Sequence, residues 1–162
     1  MKAKVRIILA AMFCVACLAA LVGCSGESAE QNAQTQNRQY MSSVNTIMDT
    51  LNTNMEEFAT AVKDGEVVSL DAQLEAVNKC VDDLNALTPP DAMTEIHKSY
   101  VTGATELQTA LADYVQLYED VKAPQSGSFD YSTYDSRIAD IQSHYDAGIA
   151  ALQDADSKAQ SA

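Results

Sequence analysis

Tryptophan is absent from the 162 residues, which weakens any proposal of an indole platform for sugars. Basic residues are scarce: 10 Lys and Arg stand against 23 Asp and Glu. Lys2, Lys4 and Arg6 precede residue 24 and no acid does, so residues 24–162 hold seven basic and 23 acidic groups, a net −16. Such a surface repels phosphate backbones and anionic headgroups, which excludes nucleic acid as a partner. Cysteine is nearly missing from the body of the chain. Cys14 and Cys17 lie before residue 23, Cys24 closes that segment, and Cys80 alone follows, so no disulfide forms within residues 25–162. There are two histidines, His97 and His144, and neither belongs to an H-x-x-x-H or E-x-x-H element. That disfavours a di-iron carboxylate site and a zincin. No D-x-D-x-D-G calcium loop, G-x-S-x-G elbow or phosphate-binding glycine loop occurs. Catalysis has no visible constellation, and the chain is expected not to be an enzyme. No segment alternates with period two, so strands are not expected.

What is present begins at the N-terminus, MKAKVRIILAAMFCVACLAALVGC. Three basic residues precede an apolar run over 7–22, close in length to a signal h-region and short for a membrane span. Leu21-Val22-Gly23-Cys24 closes the run with an aliphatic residue, a branched one, a small one and cysteine. This resembles the lipobox of bacterial lipoprotein precursors. The resemblance covers about the first 25 residues and implies cleavage between Gly23 and Cys24. It further implies a diacylglycerol thioether on Cys24, often with acylation of the new amine. Two or more acyl chains give stable anchoring. The implied location is the extracytoplasmic face of the cell membrane. In a two-membrane cell it is the outer membrane, because Ser25 rather than Asp follows the cysteine. The remainder resembles small helical lipoproteins of unknown function.

Residues 25–38, SGESAEQNAQTQNR, are small and polar and read as a flexible linker after Cys24, with a coil reach of about 20 Å. From Tyr40 the apolar residues follow a 3-4 rhythm. Met41, Val44, Met48, Leu51, Met55, Phe58 and Val62 mark a first helix, with Gly65 as its stop. Ser69 is the expected cap of a second, carrying Leu70, Leu74, Val77, Val81 and Leu84. Thr88-Pro89-Pro90 breaks the chain, with Pro90 suited to the first turn of a third helix. That helix carries Met93, Tyr100, Ala104, Leu107, Leu111, Tyr114, Tyr118 and Val121. After a loop over 123–130, Ser132 with Asp135 suggests a cap for a fourth. This last helix carries Tyr134, Ile138, Ile141, Tyr145, Ile149 and Leu152. The expected fold is all-α, an antiparallel up-down four-helix bundle over residues 39–162 after a signal peptide (1–23) and linker (24–38). The third and fourth helices are longer than the second, so one end of the bundle is less completely covered.

Candidate sites lie on this framework. Met41, Met48 and Met55 recur every seven residues and can offer thioethers to a soft metal such as Cu(I). A bundle seam produces the same spacing, and Met fills irregular gaps. His97, four residues after Met93, is either a metal ligand or a core-edge histidine with a satisfied ring nitrogen. His144 follows Asp140 by four, the spacing of an ion pair on one helix face. Cys80 reads as a half-buried apolar residue. Tyr100, Tyr114, Tyr118, Tyr131, Tyr134 and Tyr145 fall at or near inward positions and can line a groove with polar tips. Gly103 and Gly148 interrupt the same helices and allow close packing, a kink or room for a ligand. The expected function is a lipid-anchored binding or interaction module for an unknown protein or small molecule. It has no cofactor beyond the covalent lipid on Cys24. The alternative is a metal-handling lipoprotein for copper, iron or zinc.

Overall fold

The computed structural model describes residues 29–64, 70–122 and 127–161. Gly23, Cys24, Gly65 and Ser69 lie outside the described residues, as do the side chains of Phe58 and Val62. Four helices account for nearly all of what is described: α1 (Ala29–Asp64), α2 (Leu70–Ala86), α3 (Thr94–Lys122) and α4 (Tyr134–Ala159). The described residues form no strand, and the fold is all-helical. None of these helices is long and apolar enough to cross a membrane.

α1 begins at Ala29, about three turns before the apolar rhythm starts. The reading of residues 25–38 as coil is therefore corrected over 29–38. That stretch has no apolar stripe, but Ala29, Glu30, Gln31, Ala33, Gln34, Gln36 and Arg38 are all strong helix formers. Its side chains contribute nothing to the core, and burial starts only at Tyr40. Beyond that, Val44 and Leu51 are enclosed. α2 buries Leu70, Val77, Cys80, Val81 and Leu84, one face of a 3.6-residue repeat.

The third helix enters through a 3₁₀ turn, Asp91–Met93, whose Met93 N–H donates to Pro90 O at 2.8 Å. Pro90 thus stands just ahead of the first turn rather than within it. Its extended ψ of 155° stops any helical continuation from α2. α4 is also preceded by a 3₁₀ turn, Tyr131–Thr133. Here the cap is Asp130, whose carboxylate accepts the Ser132 N–H at 3.0 Å. The expected Ser132–Asp135 cap is displaced because Asp130 reaches the first free amide two residues on, an Asx-type turn. Gly127 takes φ +86°, a conformation open chiefly to glycine, in the bend before this turn.

α1 packs on α2, α2 on α3 and α3 on α4. Cross-helix pairs fix the direction of the last two: Ser99 meets Asp154, Glu106 meets His144 and Asp120 meets Arg137. Partner numbers fall as α3 numbers rise, so α3 and α4 run in opposite directions. Two clusters make the core. The first draws on all four helices: Tyr40 and Val44, Val81 and Leu84, Ile96, Tyr100 and Ala104, Leu152 and Ala155, with Met93 from the 3₁₀ turn. The second holds, among the described residues, Leu51, Val77, Cys80 and Leu111, from α1, α2 and α3. Among the described residues Leu84, Val44 and Val77 are the largest fully buried side chains, each worth roughly 1.5–3 kcal/mol.

Candidate functional site

The α3–α4 pair is built around two glycines. A Cβ placed on Gly103 would lie 2.7 Å from Leu152 Cγ and 3.0 Å from the Gly148 carbonyl. One on Gly148 would lie 2.9 Å from Leu107 Cγ and 3.0 Å from the Gly103 carbonyl. Of the three uses open to these glycines, close backbone packing is the one realised. It brings the two helix backbones together at Gly103 and Gly148.

The tyrosines are consequently divided rather than gathered. Tyr100 is 3% exposed in the first cluster, and its hydroxyl donates to Asp156 Oδ1 at 2.6 Å. Burial, then the Asp156 carboxylate, raises its phenol well above the ordinary range. Tyr145 is half-buried, and burial raises its phenol too. Tyr114, Tyr118 and Tyr134 lie toward the C-terminal end of α3 and the start of α4, each 37–40% exposed. Tyr131, in the 3₁₀ turn, is 70% exposed. Phe129 joins this end, edge-on to Tyr131 at 5.0 Å and to Tyr134 at 6.4 Å. It precedes the helix and carries no periodicity, so helical spacing could not flag it.

Two heptad stripes show why this end is open. On α3, Ala104, Leu111 and Tyr118 are 0%, 9% and 37% exposed. On α4, Leu152 is 3% exposed, Tyr145 is half-buried and Ile138 is 37% exposed. Both stripes begin in the four-helix cluster, and their last residues, Tyr118 and Ile138, are exposed, whereas Leu117 beside Tyr118 is 2% exposed. Val121, 37% exposed, continues the apolar surface of α3.

The other flank of the α3–α4 contact is polar. His144 Nδ1 bonds Glu106 Oε2 at 2.7 Å, and that carboxylate raises the imidazole above its ordinary value. The expected partner, Asp140, contributes only at longer range, because the α3 carboxylate is closer. Arg137 donates to Asp120 Oδ2 at 2.7 Å. The guanidinium holds the Asp120 carboxyl below its usual range. Between these pairs a cavity of about 220 Å³ is lined by Asp113, Arg137, Asp140 and Ile141. No tyrosine lines it.

The remaining candidates sit in or beside the core. Met41 packs against the first cluster, Met48 against both and Met55 against the second. His97 Nδ1 shares a 2.9 Å hydrogen bond with the Tyr40 hydroxyl, and burial lowers its imidazole. Tyr40, not foreseen as a core residue, is 6% exposed, with its phenol pushed up to about 12 by burial. Cys80 is 2% exposed; its thiol lies 3.7 Å from Ile47 O and is raised by burial. Among the described residues no three His, Cys, Asp or Glu side chains come together as a metal site.

Comparison with known proteins adds a family. The model of a family of unknown function, DUF6376, matches residues 32–147. The chain belongs to the DUF6376 family. The match takes in most of α1, all of α2 and α3, and α4 through Ala147, so the aromatic end falls within it while Gly148 and Leu152 of the glycine contact lie just beyond it. One relative is an uncharacterized lipoprotein, YybP, of Bacillus subtilis (strain 168). It is 41% identical over 63 residues, 38% of this chain and 43% of the relative. The chain therefore spans under half the length of the curated relative it matches. No solved structure matches the chain.

Proposed function

We propose that this protein is a lipid-anchored extracytoplasmic binding module, non-enzymatic, whose helices form an antiparallel up-down bundle. The observation that carries the binding reading is the open aromatic end. Tyr114, Tyr118, Val121, Tyr134 and Ile138 are all 37–40% exposed in one region. Contiguous apolar exposure on a small protein marks interaction surfaces, and tyrosine is enriched there because it offers apolar area with a polar tip. The anchoring reading rests on Leu21-Val22-Gly23-Cys24 and on the likeness to a lipoprotein. Opposite directions for α3 and α4, with one cluster drawing on all four helices, support the bundle.

Two experiments test it. A Cys24→Ala precursor should lose incorporation of labelled fatty acid and leave the membrane fraction. Unchanged labelling would sink the anchoring claim. For binding, a photo-crosslinking amino acid is placed in living cells at Tyr134 or, as a control, at the exposed Asp82 of α2. Discrete adducts from position 134 and none from 82 are expected. Adducts from neither position would remove the interaction reading.

A further inference from the structure

We infer that the open end of α3 and α4 is a docking site for a basic amphipathic helix of another extracytoplasmic protein. The inference rests on the binding reading above and names the partner's chemistry. Three observations support it. The first is shape. Tyr114, Tyr118 and Val121 on α3 and Tyr134, Ile138 and Tyr145 on α4 follow 3-4 and seven-residue spacings. These two antiparallel stripes form a long apolar trough of the kind that receives one further helix, whose anchors recur at i, i+3, i+4 and i+7.

The second observation is charge. In the sequence Glu119 adjoins Tyr118 on α3, Asp135 and Asp146 adjoin Tyr134 and Tyr145 on α4, and residues 24–162 carry −16 overall. A basic polar face complements that field. A second copy of this chain would bring like charge against like, and an anionic bilayer would be repelled in the same way. The third is a contact already made within the chain. Lys122 Nζ stands over the Tyr118 ring at 5.6 Å from its centroid. This end therefore already holds a lysine ammonium against an aromatic face, the contact a Lys-bearing helix would repeat on neighbouring rings.

Position supports the same occupant. Tyr40 of α1 reaches His97 near the start of α3, so the N-terminal end of α1 lies at the opposite end of the molecule from Tyr118 and Tyr134. A lipid attached ahead of α1 would leave the trough facing away from the bilayer, toward proteins rather than headgroups.

The test uses the full chain in detergent micelles and designed peptides of about five helical turns. One has leucines on a single helical stripe and lysines elsewhere. A second has the same composition scrambled, and a third has the same stripe with glutamates. Each carries a benzophenone at its central leucine, and adducts on the protein are mapped by mass spectrometry. The Leu/Lys helix should label residues 114–121 and 134–145, at least tenfold more than either control. Ile138→Glu should remove most of that labelling, although it adds a negative charge. Tyr118→Leu keeps the apolar surface but loses the ring, and should weaken binding about two- to fivefold. Circular dichroism confirms that the variants are folded; if Ile138→Glu is not, Tyr134→Ser at a 40%-exposed site replaces it. Labelling scattered over the acidic surface, equal labelling by the Leu/Glu peptide, or a homodimer in sedimentation that Ile138→Glu abolishes would each overturn the inference. If in-cell adducts form at Tyr134 while the Leu/Lys helix fails, the binding reading stands and the partner's chemistry falls.

Discussion

The two histidines hold opposite positions in the charge balance of the fold. His97 shares a hydrogen bond with Tyr40, and burial lowers it below its ordinary 6.5. Its contribution to stability is complete above 6.5 and is lost as pH falls through the lowered value. His144 is raised above 6.5 by Glu106, so its contribution is complete below 6.5 and is lost as pH rises through the raised value. Urea midpoints measured across this range should separate the two. Glu106→Gln should be less stable than the parent at acid pH, with the gap closing as pH rises. His97→Gln should flatten the loss on the acid side. A Glu106→Gln deficit that grows with pH would contradict the His144–Glu106 assignment. The sequence showed both histidines on helices, but it paired His144 with Asp140. Spacing along one helix sees only neighbours on that helix, whereas the real partner comes from α3.

At the scale of elements, the glycine contact sets how α3 and α4 meet. Replacing glycine by alanine inside a helix ordinarily favours the helix by about 1 kcal/mol. Here a methyl on Gly103 would enter the space of Leu152, itself only 3% exposed, and approach the Gly148 carbonyl. Overpacking of this kind costs typically 1–3 kcal/mol, so Gly103→Ala should lower stability despite the better helix former. The double variant Gly103→Ala/Gly148→Ala should cost less than the two single changes added, because one separation of the helices relieves both contacts. A stabilised Gly103→Ala protein in thermal denaturation would refute the close approach. The apolar rhythm made α2, α3 and α4 legible, since each buries the stripe that the pattern marks. It misplaced the start of α1 because Ala29–Arg38 is helical without an apolar stripe. Propensity carries that stretch, and a search for amphipathic periodicity is blind to it.

Across the whole molecule, stability should grade from one end to the other. The cluster with all four helices lies at the Tyr40 end; the cluster whose described members come from α1, α2 and α3 lies beyond it. Amide exchange should be slowest around Val44, Leu84, Ala104 and Leu152. It should be faster over 134–141 and fastest over 30–38, where no side chain is buried in the core. Equal protection along α4 would contradict that gradient. The uneven coverage itself was readable from the unequal helix lengths. The aromatic identity of the exposed end was only partly so, because spacing placed all the tyrosines inward. It could not show where α4 stops being covered.

The exposed beginning of α1 bears on reach. A helix rises 1.5 Å per residue, so Ala29–Arg38 forms a strut of about 15 Å in continuity with the core helix. If Cys24 is anchored as proposed, residues 29–38 of the connection between anchor and core are helix rather than coil. A strut narrows the range of heights the open end samples above the bilayer and concentrates it in one layer. A partner presented at that height meets it often, and one lying flat on the headgroups seldom does.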